Sequence, residues 1–533
     1  MLEKAGLRIL RTFLSKLAHN KAVFAFFALY LILGIMIHGN FGATWDEPLN
    51  RDLGHKTLNY IKSYFSDHSM PWSEASRGLI AEQGPFFEVI LASLEKPLNL
   101  IDTREIMLMR HLVIFLAFWL GCLAFYFLLS LRFHNRWICL LGVSMFVLAP
   151  RLFSHSFYNS KDAVFTSLMI IGTLTMVRFI KHRTLLNAAL HSLACALAID
   201  VRVVAGLIPA LTVLLLAVLF IKKEIEKEEQ KRVWISTGVY VCFLAVFIVI
   251  FWPALWENPF RMFFDTLSRI SSAKQFDNNY SLYMGSFVRV DQLPWHYLPV
   301  WILITMPLSY VLFFIIGTVQ TVKELVRNPV FSAGNILNFV FMFMFFVPLV
   351  VVIILRPIVY DDWRHMYFLQ PYFVAIAVTG ISGLLARKNL KKTIKAVVIL
   401  MLLHGVIILV RYHPYQNVYF NPLAGGDIEK TFELDYWGLS FKEGLEFVLR
   451  TEPQNQIRVA VSDFPGRVNH MFLDPSQRQR IQIVPVEQAT YFLSNHRQPN
   501  NYAAFRSKTY PCVNEVYAVR VAGETLLGVF KIR

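Results

Sequence analysis

The chain has 533 residues, 56% of them hydrophobic and only 17% charged, with 52 Lys and Arg against 36 Asp and Glu for a net charge of +16. A soluble globular chain carries about 25% charged residues. That deficit, with a mean hydropathy of +0.47, excludes disorder, collagen, a coiled coil and an ordinary soluble enzyme, and implies many membrane spans plus some soluble mass. The five cysteines form no CxxC pair, which argues against a disulfide framework and a Cys-based zinc site. The basic residues sit between apolar runs, as membrane orientation requires, so the positive charge does not indicate a nucleic-acid partner.

Apolar runs occur near 22–38, 111–131, 137–150, 163–180, 185–199, 205–221, 233–252, 298–319, 336–355, 367–385 and 396–410. At roughly 20 residues per span they give about eleven candidate helices, with 137–150 and 185–199 the shortest. The first run is too long for a signal-peptide core, and "HGNFGATWDEP" offers no small-x-small cleavage site. The N-terminal segment carries Lys4, Arg8, Arg11, Lys16 and Lys21, and the loops "RFHNR", "RFIKHR", "KKEIEKEEQKR", "VKELVRN" and "ARKNLKK" are also basic. They alternate with loops that are not, which puts the N-terminus and the basic loops in the cytoplasm. Residues 39–110, 253–297 and the tail then face outward.

The tail changes composition. "FKEGLEFVLR" has helical spacing, "QIRVAVSD" and "RIQIVPV" alternate like strands, and "EVYAVRVAGETLLGVFKI" predicts a hairpin turning at Gly523. The expected fold is an α-helical polytopic membrane protein with a small C-terminal α/β extracytoplasmic domain, divided as 1–411 and 412–533. "ENPFRMFFDTL" near 257–267 has the pattern of an amphipathic helix on the membrane surface. No P-loop or GxGxxG fingerprint is present, so nucleotide-driven transport has no sequence support.

Three outward segments carry candidate chemistry. "GATWDEPLN" places Asp46 and Glu47 directly after the first span, where a partly buried carboxylate can act as general base on a hydroxyl; the alternative is a hydrated loop with Asp46 capping the following helix. "APRLFSHSFYNSKDAVF" places Lys161 and Asp162 at a helix start that Ser160 could cap. Asp162 suits the helix dipole there, whereas Lys161 opposes it unless an anion such as phosphate is near. "RPIVYDDWRHMYFLQP" crowds Asp361, Asp362, Arg364 and His365 before the tenth span, as a phosphate site or as an internal Asp–Arg network. Asp200 and Arg202 are expected to pair with each other. Carboxylates and cations thus share one side of the membrane at headgroup depth, which suits a lipid-linked phosphate donor.

"TWDEP", "SHSFYNSKDAVF", "DDWRHMYFLQP" and the tail segment "HPYQNVYFNPLAGG…FELDYWGLSFKEGLEF" resemble the glycosyltransferase C superfamily. The nearest likeness is family 39, which contains protein O-mannosyltransferases and the lipid A aminoarabinose transferase; the tail segment looks like one in bacterial members of unassigned acceptor. The resemblance implies an inverting transfer from a polyprenyl-phosphate sugar to a glycan, lipid or protein acceptor in the envelope, at the bacterial inner membrane. It implies Asp46 as general base, Glu47 behind it or orienting the acceptor, and Lys161 and Arg364, with His365, at the donor phosphate. Asp162 matches an acidic position where some relatives bind a divalent cation; a site of Lys and Arg alone would need none. Gln83 and Gly84 stand before Pro85 where the aminoarabinose transferase has Glu-Lys, which counts against that particular activity. A transporter or flippase of a lipid-linked sugar is the competing class.

Overall fold

The structure, a computed structural model, describes residues 20–76, 85–223, 225–271, 280–327, 335–509 and 511–533. The basic residues Lys4 to Lys16, and Gln83 with Gly84, lie outside the described residues. Among those described, nine helices are long and apolar enough to cross a membrane, and ten if one bent pair counts as a span.

In chain order the principal helices are α1 (Lys21–Ile37), α2 (Glu47–Ser66), α3 (Pro85–Glu95), α4 (Thr103–Ser130), α5 (Arg136–Val147), α6 (Pro150–Tyr158), α7 (Asp162–Lys181) and α8 (Leu185–Val201). They continue with α9 (Leu207–Ile221), α10 (Lys227–Phe251), α11 (Pro259–Ser271), α12 (Tyr297–Thr305), α13 (Leu308–Arg327), α14 (Asn335–Leu355), α15 (Gln370–Leu385) and α16 (Lys391–Tyr412). With the 17-residue α8 included, every apolar run read from the sequence lies in helical structure.

Two runs are broken, and proline explains both. The run near 137–150 ends at Val147, and α6 leaves at 71° to α5. Ala149 is extended before Pro150, which then occupies the first turn of α6, because a residue preceding proline is pushed out of the helical region and proline is well suited to a helix start. The stretch expected to be a loop after this span is therefore largely helical. The run 298–319 is likewise split, with Met306 extended ahead of Pro307. Tight crossings come from small residues: a Cβ on Gly317 would lie 1.9 Å from the Ile376 carbonyl oxygen, so α13 and α15 can touch backbone to backbone only through glycine. The stretch near 257–267 is helical, in α11, with Phe260 and Phe264 exposed.

Beyond α16 the chain builds a five-stranded sheet in the order β4-β3-β5-β7-β6, a separate hairpin β1 (Tyr280–Tyr283) and β2 (Ser286–Arg289) having come earlier. Strands β3 (Ile457–Val461), β4 (Ile481–Ile483) and β5 (Tyr491–Ser494) are parallel, while β6 (Glu515–Val521) and β7 (Glu524–Lys531) add antiparallel. The β6–β7 turn is where the sequence predicts it, with positive φ at Ala522 and Gly523, the geometry of a primed hairpin turn. Helix α17 (Phe441–Thr451) buries Phe441, Leu445, Val448 and Leu449, and α18 (Phe464–Phe472) follows β3. A polytopic helical membrane protein carrying a small C-terminal α/β domain is thus the fold.

Candidate active site

The three segments singled out in the sequence for candidate chemistry meet at one end of the helix bundle. Arg364 is the hub: its Nη1 lies 3.2 Å from Asp162 Oδ2 and 3.9 Å from Asp46 Oδ2, and its Nε lies 3.0 Å from Asp361 Oδ2. The Arg364 side chain is 4% exposed and that of Asp162 1%, so their charges can be held there only by each other and by further partners. Arg202 supplies a second ion pair to Asp162, and Asn159 donates to it at 2.9 Å.

Several local expectations change. Asp200 and Arg202 do not pair; Asp200 accepts the Phe86 amide at 3.0 Å, while Arg202 turns to Asp162. Asn159, not Ser160, caps α7, its Oδ1 accepting the Asp162 amide at 2.8 Å; Ser160 instead donates to Glu88. Asp46 stands at the N-cap position of α2 yet makes no side-chain cap bond. Glu47 ties down the turn before the helix: its Oε1 accepts from the Thr44 amide at 2.7 Å and the Thr44 hydroxyl at 3.0 Å while Oε2 faces His111 at 3.1 Å. Glu47 is 2% exposed, its carboxylate taken up by Thr44 and His111.

Four members of the cluster are less deeply buried: Asp46, Arg202, Lys161 and His365. The Asp46 side chain is 27% exposed, against near-complete burial of Asp162, Asp361 and Asp362. Lys161 and His365 are half-buried. Lys161 has no carboxylate at ion-pair distance among the described residues. Burial pulls its ammonium below the ordinary lysine range, and Asp46 and Glu88 oppose that pull. His365 packs edge-on against Tyr360 at 4.9 Å, with Arg364, Arg202, Asp162 and Lys161 as charged neighbours.

The expected Asp–Arg network is also present. Asp362 Oδ2 lies 2.7 Å from Arg151 Nη1 and accepts from the Tyr367 hydroxyl at 2.7 Å. Asp361 and Asp362 both adopt positive φ, 56° in each case, a conformation that costs an L-residue energy and that Asp tolerates better than most. Burial pushes both carboxyls upward, against the neighbouring arginines.

The tail supplies parts that sequence reasoning did not assign. Asn469 on α18 bolts the Asp46 loop in place: its Oδ1 accepts the Ala43 amide at 2.9 Å and its Nδ2 donates to the Ala43 carbonyl at 2.8 Å. The approach is so close that a Cβ on Gly42 would lie 2.6 Å from the Leu439 carbonyl oxygen. Lys442 donates to the Gly39 carbonyl at 2.9 Å. Trp437 lies 4.8 Å from the Arg364 guanidinium, with Tyr360 at 4.9 Å and Tyr436 at 5.6 Å. An aromatic cluster near an isolated arginine is a sequence signal; "DYW" lies 72 residues from Arg364 and gave none.

Asp46 and Asp162, the two carboxylates that a divalent cation would share, both face Arg364 Nη1, and Asp162 is paired with Arg202 as well. No cluster of three His, Cys, Asp or Glu suited to a metal occurs among the described residues.

Residues 52–267 match the family model for dolichyl-phosphate-mannose-protein mannosyltransferase. The matched segment includes Lys161, Asp162 and Arg202 and excludes Asp46, Arg364 and the tail. The family 39 resemblance read from the sequence is borne out over that segment. The chain is similar in structure to ArnT from Cupriavidus metallidurans bound to undecaprenyl phosphate, at 11% identity, covering 96% of this chain and 98% of that one with a TM-score of 0.47. It is also similar to the archaeal oligosaccharyltransferase AglB from Archaeoglobus fulgidus in complex with an inhibitory peptide and a dolichol-phosphate, at 8% identity, covering 90% and 70% with a TM-score of 0.46. A search of curated proteins gives no match.

Proposed function

We propose that this protein is a membrane glycosyltransferase that moves a sugar from a polyprenyl-phosphate donor to a hydroxyl of an envelope glycan, lipid or protein on the extracytoplasmic side. One observation carries the reading: a partly exposed carboxylate, Asp46, and a cation with no carboxylate at ion-pair distance among the described residues, Lys161, sit with the partly open Arg202 beside a cluster whose other charges are buried and paired. Asp46 takes the acceptor proton as the acceptor oxygen attacks the anomeric carbon. The bond from that carbon to the phosphate oxygen breaks, and the phosphate departs with its electron pair against Lys161 and the partly open Arg202. Arg364 keeps Asp46 and Asp162 in place and adds positive potential without yielding its carboxylates. His365 stands beside the leaving phosphate. The charge balance needs no metal, and inversion follows from single displacement.

The arrangement of basic loops supports a cytoplasmic N-terminus and an outward site, in keeping with a polyprenyl phosphate as leaving group. The test is incubation of the purified protein in liposomes with a labelled polyprenyl-phosphate sugar and envelope extract. Label is expected in an acceptor with release of polyprenyl phosphate. Donor that crosses the bilayer chemically intact would identify a transporter instead.

A further inference from the structure

Arg497, in the C-terminal domain, touches both halves of the site. Its Nε lies 3.0 Å from Glu433 Oε1 and its Nη1 3.2 Å from Asp463 Oδ2, so its charge is balanced within the tail. Its guanidinium lies 4.2 Å from the Tyr436 ring and 5.4 Å from the Trp45 ring. Trp45 adjoins Asp46 in sequence, and Tyr436 also packs on Arg364. The contacts therefore close a circuit: Asp46, Trp45, Arg497, Tyr436, Arg364 and back to Asp46 at 3.9 Å. Three of its five residues belong to the membrane domain and two to the tail.

We propose that Arg497 and Tyr436 are positioning residues that set the separation of Asp46 and Arg364, making the C-terminal domain a wall of the reaction site rather than a separate module. The inference rests on the glycosyltransferase reading for its kinetic consequences. Arginine suits the task because its planar group stacks on aromatic faces while its edge serves two carboxylates; lysine cannot do both. Tyr436 contributes its ring, since the hydroxyl has no hydrogen bond among the described residues. A displacement of about 1 Å between reacting groups costs on the order of 100-fold in rate, so small losses here are visible.

The full-length protein is compared with Arg497→Lys, Tyr436→Phe and Tyr436→Leu. Arg497→Lys and Tyr436→Leu are expected to lower kcat about 10- to 100-fold with KM for the acceptor unchanged, while Tyr436→Phe stays within about threefold of the parent because the ring is kept. Hydrogen exchange supplies a readout independent of turnover. Exchange should quicken in segments 41–50 and 360–366 of Arg497→Lys, with strands 457–461 and 491–494 unchanged. Unaltered exchange in both site segments overturns the inference, as does equal loss in the Phe and Leu variants or parent-like kcat in Tyr436→Leu. If Arg497→Lys fails to fold, the Phe–Leu comparison decides. Absence of any transfer by the parent protein would sink the functional reading, leaving exchange to judge this one.

Discussion

The two ends of the helix bundle handle charge in opposite ways. At the basic-loop end, about 30 Å along α7 from Asp162 at 1.5 Å per residue, Arg183 pairs with Glu229 at 3.2 Å, with side chains 16% and 51% exposed. At the site end, Arg364 with Asp162, Arg151 with Asp362 and Arg110 with Glu88 are all but sealed from water. An exposed pair is screened and contributes little. A sealed pair is costly to assemble and still more costly to break. Chemistry is to be sought at the second end: the buried pairs form a charged floor, and the less buried groups beside it are Asp46, Lys161, Arg202 and His365.

The largest break in that comparison should come from Arg110→Met. It strands Glu88, which lies 2.5 Å from Arg110, and should cost about 3–5 kcal/mol, read as an early thermal transition of the detergent-solubilised protein. Asn469→Ala comes next. The Ala43 amide then loses its buried acceptor, for about 1–3 kcal/mol, and turnover should fall because the Asp46 loop is unbolted; a parent-like transition temperature would refute the bolt. Lys161 gives a pH test. Because burial lowers its pKa, its proton leaves at a lower pH than that of an exposed lysine, so donor binding should weaken on the alkaline side. Lys161→Arg should move that limb to higher pH, and an unmoved limb would take Lys161 out of the donor site. The smallest effect belongs to Arg183→Gln at the far end: below about 1 kcal/mol, with transfer unchanged.

How much of this was legible in sequence follows from the range of the interactions. Spans are contiguous apolar runs, so each could be read directly, and the β6–β7 turn at Gly523 is equally local. The breaks at Pro150 and Pro307 were present in the sequence too, but run length alone concealed them. Asp46, Lys161, Asp162 and Arg364 were legible as types in suspicious places: a carboxylate after a span and cations at helix starts. Their partners were not. Arg202 abandons its neighbour Asp200 for Asp162, 40 residues away, because α7 and α8 pack side by side. Asn469 reaches the Ala43 loop across 426 residues. Nothing in local spacing reports such contacts, and the adjacent carboxylates Asp46 and Glu47 have equal standing in sequence although one is open and the other is sealed against His111.

The most direct measurement is a single-turnover experiment with Asp46→Asn, following donor binding and polyprenyl phosphate release separately. Polyprenyl-phosphate sugar is expected to bind the variant like the parent, since Lys161 and Arg202 are untouched, while release slows by about 100- to 10,000-fold. Release at the parental rate from folded variant would contradict Asp46 as the base.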